Sequence, residues 1–230
     1  METPMQKQPA SRKNGVWSLA GILLVAFVLM RLPILGTYLL IVNTMIHESG
    51  HALMALLSNG KVVSMSLFLN TEGVTWIASA SRFGQILTSL AGYVFSSVAA
   101  YLFFWPLKQG RHHLVCYILL GFIAGDLLLW VRNLYGIIWL LTFGALLIAL
   151  LRAKSSWFVR YGMLFICGIV LVDSIWSALQ VLELSLMYPY AAGDATNLSH
   201  YAILPTFVWG LVFFLQSLFF GWQSVRMWLR

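Results

Sequence analysis

The chain alternates long apolar blocks with short polar intervals. The blocks are Val16 to Met30, Leu32 to Leu57, Gln85 to Trp105, Leu114 to Val131, Leu134 to Leu151, Tyr161 to Leu182 and Ile203 to Trp228. A helix needs roughly 20 apolar residues to cross a bilayer, and most of these blocks approach or reach that length. The first is short and crosses only if it tilts or extends through a snorkelling Arg31. Pro33 suits the first turn of the second helix, and Ser58-Asn59-Gly60 suits its end. At 1.5 Å per residue that helix spans about 39 Å, enough to cross. Pro106 is expected to close the third block, where Gly92, Ser96 and Ala100 form a small-residue stripe for close helix approach. Arg132-Asn133 is short enough to make a tight hairpin of the fourth and fifth blocks.

Between the second and third blocks the period changes. Val63, Met65, Leu67 and Leu69 alternate with Ser64, Ser66 and Phe68. Asn70-Thr71-Glu72-Gly73 reads as a turn and Val74 to Ile77 as a returning strand. A strand edge cannot face lipid, so this hairpin must be covered by protein or lie at the surface. Leu186 to His200 is a mixed stretch with Pro189, Gly193 and Asp194. The expected fold is an all-α polytopic membrane protein with about six to seven transmembrane helices and a short β-hairpin. Residues 1–14 form a polar tail, and residues 15–230 form one integral membrane domain.

Composition agrees with this reading. Of 230 residues, 60% are hydrophobic and 9% charged, and mean hydropathy is +0.85. Soluble domains carry about 25% charged residues. The net charge of +7 comes from Lys and Arg scattered between apolar blocks. Such charges anchor headgroups and set topology; they do not make a nucleic-acid surface. With seven spans and an internal N-terminus, however, Lys108, Arg111 and the Arg152–Arg160 loop fall on the outer side. That opposes the positive-inside rule, so either one block is not a full span or the tail is external. Cys116 and Cys167 lie in apolar blocks and are read as reduced packing residues. The first block has no small-x-small cleavage site and is read as retained.

The chemistry is concentrated in His47-Glu48-Ser49-Gly50-His51, an H-E-x-x-H sequence within the second block. Two histidines four residues apart share one face of a helix and can ligate one zinc ion. The Glu between them is placed to act as a base on water. Ionisable groups at membrane depth are costly and usually functional. A catalytic zinc needs a third protein ligand, and Asp126, Asp173, Glu183, Asp194, His112, His113 and His200 are the candidates. His112 and His113 fall in a basic loop and are expected to be solvated. Asp126 and Asp173 lie inside spans, where pairing across helices is the usual fate. Asp194 stands in a break between helices, where irregular backbone can line a polar cavity. Asn133 and Asn197 could stabilise an oxyanion or orient a strand, though each also suits a helix cap.

His47-Glu48-Ser49-Gly50-His51-Ala52-Leu53, the hairpin, and Ala91-Gly92-Tyr93 in a following helix resemble the site-2 protease family of intramembrane zinc metallopeptidases. The late Asp194-Ala195-Thr196-Asn197-Leu198, followed by Pro205-Thr206-Phe207-Val208-Trp209, resembles the short bacterial branch called B-like. The larger family's Leu-Asp-Gly sequence is absent, and its Ala-Gly-Pro is Ala91-Gly92-Tyr93 here. The resemblance covers about residues 35–225. It implies one Zn2+ held by His47, His51 and Asp194, with Glu48 as catalytic base. It also implies a membrane-protein or peptide substrate presented as an extended strand by the hairpin, in a bacterial cell membrane. The other reading of the same residues is a non-catalytic membrane protein that keeps the metal for stability and binds partner helices. A small-solute transporter has no need of a Glu beside paired histidines.

Overall fold

The structure is a computed structural model that describes residues 12–78 and 81–230. The expected polar tail lies outside them up to residue 11, and residues 12–14 open the first helix. In order, the elements are α1 (Arg12–Leu29), α2 (Leu35–Leu57), β1 (Lys61–Leu67), β2 (Gly73–Ala78), α3 (Arg82–Lys108), α4 (His112–Leu129), α5 (Leu134–Arg152), α6 (Ser156–Met187), α7 (Asp194–Tyr201) and α8 (Thr206–Leu229). Five helices, α3, α4, α5, α6 and α8, are long and apolar enough to cross a membrane, and Val16–Leu29 is a shorter apolar helix. At 23 residues α2 has the length, but Asn43, His47, Glu48, Ser49 and His51 interrupt its apolar sequence. The chain is therefore the polytopic helical protein with a hairpin that the apolar blocks predict.

Local chemistry sets the boundaries. The Ser81 hydroxyl accepts from the Gly84 N–H at 3.0 Å and caps α3. That helix does not close at Pro106, as expected, but continues to Lys108. Proline in the last turn removes only one donor. The stop comes at Gly110, whose φ of 76° turns the chain so that the Arg111 N–H reaches the Pro106 carbonyl at 2.8 Å. The mixed stretch after α6 contains the short helix α7, which the hydrophobic pattern did not resolve.

Strand β1 starts two residues earlier than its alternation suggests and ends at Leu67. It pairs antiparallel with β2, from Lys61 opposite Ala78 to Leu67 opposite Gly73, with a bulge between Val62 and Ser64. Its outer edge is covered. The Met65 N–H donates to the Trp130 carbonyl at 2.8 Å, and the Arg132 N–H donates to the Met65 carbonyl at 3.2 Å. The Asn133 amide donates to the Leu67 carbonyl at 2.6 Å and accepts from the Leu67 N–H at 3.2 Å. The α4–α5 connection thus bridges to the outer edge of β1, Met65 opposite Val131. Among the described residues, β2 pairs with β1 alone.

Helix directions account for the charge pattern. The α3 and α8 C-termini meet, with the Phe104 and Trp228 rings 6.1 Å apart. The starts of α4 and α6 are close enough for the Arg160 charge to act on His112. Helix α1 runs parallel to α6, with Leu23 beside Gly168 and Phe27 against Trp176. Helix α2 runs antiparallel to α3, with His51 at Thr88 and Gly50 at Ala91 and Phe95. Both α1 and α2 therefore head away from the end that carries Lys108, Arg111, Arg152, Lys154, Arg160, Arg226 and Arg230. They do not make two opposed crossings. All of these basic residues then share one side with the start of α1, as the positive-inside rule requires.

Candidate metal centre

His47 and His51 project from one face of α2, and Asp194 is the first residue of α7. His47 Nε2 and His51 Nε2 are 2.9 Å apart, and each is 3.2 Å from Asp194 Oδ2. The three residues form a group able to hold a metal ion. Ligand atoms on a tetrahedral centre with bonds of about 2.0–2.1 Å lie about 3.3–3.4 Å apart. The observed triangle fits that size, and its two imidazoles and one carboxylate suit zinc.

Several neighbours hold this triangle. The Thr88 carbonyl lies 2.7 Å from His51 Nδ1, so the proton belongs on Nδ1 and Nε2 is left as a bare donor atom. The Tyr93 ring packs edge-on against His47, with centroids 4.6 Å apart. At Gly92 a Cβ would run into His47 Nε2 and Cε1 and His51 Nε2. Gly50 makes the matching allowance on α2, since a Cβ there would lie 2.6 Å from Phe95 Cβ. The loop before α7 is tied by Thr196, whose hydroxyl donates to the Pro189 carbonyl at 2.8 Å and accepts from the Ala192 N–H at 3.0 Å. Arg82 Nε donates to the Tyr201 carbonyl at 2.7 Å and fastens the far end of α7 to α3.

Glu48 stands beside the triangle, 5% exposed. Its Oε2 accepts from the Thr75 hydroxyl at 2.6 Å. A Cβ at Gly73 would come within 2.6 Å of Glu48 Cγ and Oε1, so the first residue of β2 has to be small. Glu48, both histidines, Asp194 and β2 residues line one open cavity of about 990 Å³.

The remaining candidates have other partners. Asp126 accepts from the Ser49 hydroxyl at 2.9 Å, and Asp173 accepts from the Asn43 amide at 3.0 Å. Glu183, His113 and His200 are exposed. His112, expected in a solvated loop, is instead buried, because α4 begins with it and places it on the packed face of Val115, Cys116 and Leu119. Asn133 occupies the N-cap position of α5 but makes no cap bond; its side chain is spent on Leu67. Asn197 lines the cavity from α7. Sequence reasoning missed Thr75, Gly73 and Thr88. The period of two in β2 does put Gly73 and Thr75 on one face, which was the available signal.

A membrane bundle seldom gathers two imidazoles and a carboxylate around one point with a spare glutamate beside them, and that combination marks the membrane metallopeptidases. The chain matches the peptidase M50B-like family over residues 19–224 and belongs to it. Comparison with curated proteins and with solved structures gave no match.

Proposed function

We propose that the protein is an intramembrane zinc metalloprotease that hydrolyses peptide bonds of membrane-embedded or membrane-proximal substrates. The observation that carries this reading is the triangle of His47, His51 and Asp194 with the Glu48 carboxylate next to it. His47 and His51 supply Nε2 and Asp194 supplies Oδ2 as ligands. When bound, zinc supplies Lewis acidity that polarises the scissile carbonyl and lowers the pKa of water toward about 7.

The rest is work for the chain's own side chains. Glu48 takes the proton of the attacking water and delivers it to the leaving amide nitrogen. Thr75 holds Oε2 of Glu48, which leaves Oε1 as the basic oxygen and fixes its direction. Thr88 keeps the His51 tautomer correct. Asn197 is the polar side chain of α7 placed to meet substrate in the cavity.

A transmembrane substrate is helical, and its amides are bonded internally. It has to unwind before attack, and its freed amides then need new partners. Strand β2 can provide them, because β1 already spends its outer edge on the α4–α5 connection. Membership of the family supports the peptidase reading.

The test is a purified protein, its bound metal and a membrane-tethered reporter. Wild type should carry about one zinc and cleave the reporter; Glu48→Gln should keep the zinc and lose cleavage. A wild type that binds zinc yet cleaves nothing, together with a Glu48→Gln variant of unchanged cellular phenotype, would leave only the non-catalytic role.

A further inference from the structure

A second polar group shares the cavity with the metal triangle. Asn43 lies one turn before His47 on the same face of α2, about 6 Å along the helix. Its amide nitrogen donates to Asp173 Oδ2 on α6 at 3.0 Å. That bond orients the amide, since a carboxylate only accepts and must face the NH2. The amide oxygen therefore points elsewhere. Asn43 is 3% exposed, and its Oδ1 is buried without a hydrogen-bond partner. A buried acceptor left unmatched is a vacancy for a donor. The surrounding charge narrows the donor's class. Arg31 also lines the cavity, its guanidinium lies 3.9 Å over the Trp176 ring, and its charge acts on Asp173. A second cation in this part of the cavity would meet the Arg31 charge. What fits is an uncharged donor.

We propose that Asn43 and Asp173 form a substrate subsite that accepts a neutral hydrogen-bond-donating side chain, an amide or a hydroxyl. This rests on the peptidase reading. The spacing assigns the position. An extended strand advances about 3.3 Å per residue, and alternate side chains share a face. A side chain two residues from the scissile bond therefore lies about 6.6 Å along, which matches one turn of α2 between His47 and Asn43. The subsite selects among substrates; Glu48 and the metal ligands perform the cleavage.

The experiment scans a membrane-tethered reporter with Leu, Ala, Asn, Gln, Ser, Thr and Lys at each position flanking the scissile bond, using the wild-type protein. Asn, Gln, Ser or Thr at one position two residues from the bond should raise kcat/KM about tenfold over Leu, with Lys no better than Leu. Fluorescent peptides of the same series should show the same order of Kd on the Glu48→Gln protein, which binds without cleaving. Asn43→Leu and Asp173→Asn should bring the Asn-to-Leu ratio close to one. A flat wild-type scan, a preference for Lys, or a preference that survives both substitutions overturns the proposal, and the wild-type scan decides even if a variant fails to fold. Ordered peptide binding without any cleavage would keep the subsite and sink the peptidase reading instead.

Discussion

Two carboxylates attach to α2 within one turn of each other, and they serve opposite ends. Asp194 meets His47 and His51, and Asp126 meets Ser49. Ser49 lies between the two histidines in sequence, but two residues turn a helix by about 200°, so it faces the other way. Ser49 and Asp126 are each 1% exposed, and neither lines the cavity. Their bond joins α2 to α4 in the core. Asp194, by contrast, opens onto the cavity at the head of a short helix. Both are ionisable residues packed into a membrane-protein bundle, and a general rule would call both functional. The backbone separates them. Asp126 is inside a continuous helix, buried against Ser49. Asp194 follows a break, where the chain can aim a side chain at a distant pair of imidazoles.

The strongest challenge to this contrast is Glu48→Gln. Loss of the general base should lower kcat by about 10²–10⁴-fold while zinc stays bound, measured by reporter cleavage and metal analysis of one preparation. The ligand substitutions come next. Asp194→Ala should release most of the zinc, whereas Asp126→Asn should keep full occupancy. If Asp126→Asn lost the metal, the division between the two carboxylates would be wrong. Gly92→Ala is a third probe, because the added methyl presses on both metal-facing nitrogens. It should cost zinc affinity with helix content unchanged by circular dichroism. Ser49→Ala leaves Asp126 without its donor and should destabilise the fold by about 1–3 kcal/mol, read by thermal unfolding in detergent, with zinc content intact. The smallest effect belongs to Asn133→Ala, which removes two bonds to Leu67. A loss of about 1–2 kcal/mol is expected, together with faster amide exchange in β1 and little change in zinc.

The helices and the hairpin were legible because both depend on local pattern. Block lengths near a bilayer's thickness and the switch to a period of two are written in consecutive residues. The i, i+4 spacing of His47 and His51 was legible for the same reason. Asp194 could be placed in a helix break, but its distance to the histidines depends on how α7 docks on α3, and no local pattern encodes that. Gly92 was visible as part of a packing stripe; that it faces the imidazoles depends on the register between α2 and α3. Thr75 and Thr88 act through one hydroxyl and one carbonyl, groups present all along the chain. His112 was misread because α4 starts two residues before the apolar block, inside the polar loop, which turns a solvated position into a packed one. The direction of α1 was hidden because length and hydropathy do not say whether two neighbouring helices run alike or opposed.

Asp194 has a consequence for how the protein is made. It follows His51 by more than half the length of the chain, and α7 is held by a hydrogen bond from Arg82 of α3 and by packing on α3 and α8. On the proposed ligand set, a ribosome that has delivered α1 to α6 has produced a bundle with both histidines and Glu48 but without Asp194. The site would stay incomplete until α7 emerges, and α8, on which α7 packs, follows it. The order of synthesis would thus keep a peptidase of this family from assembling its site before the chain is nearly finished.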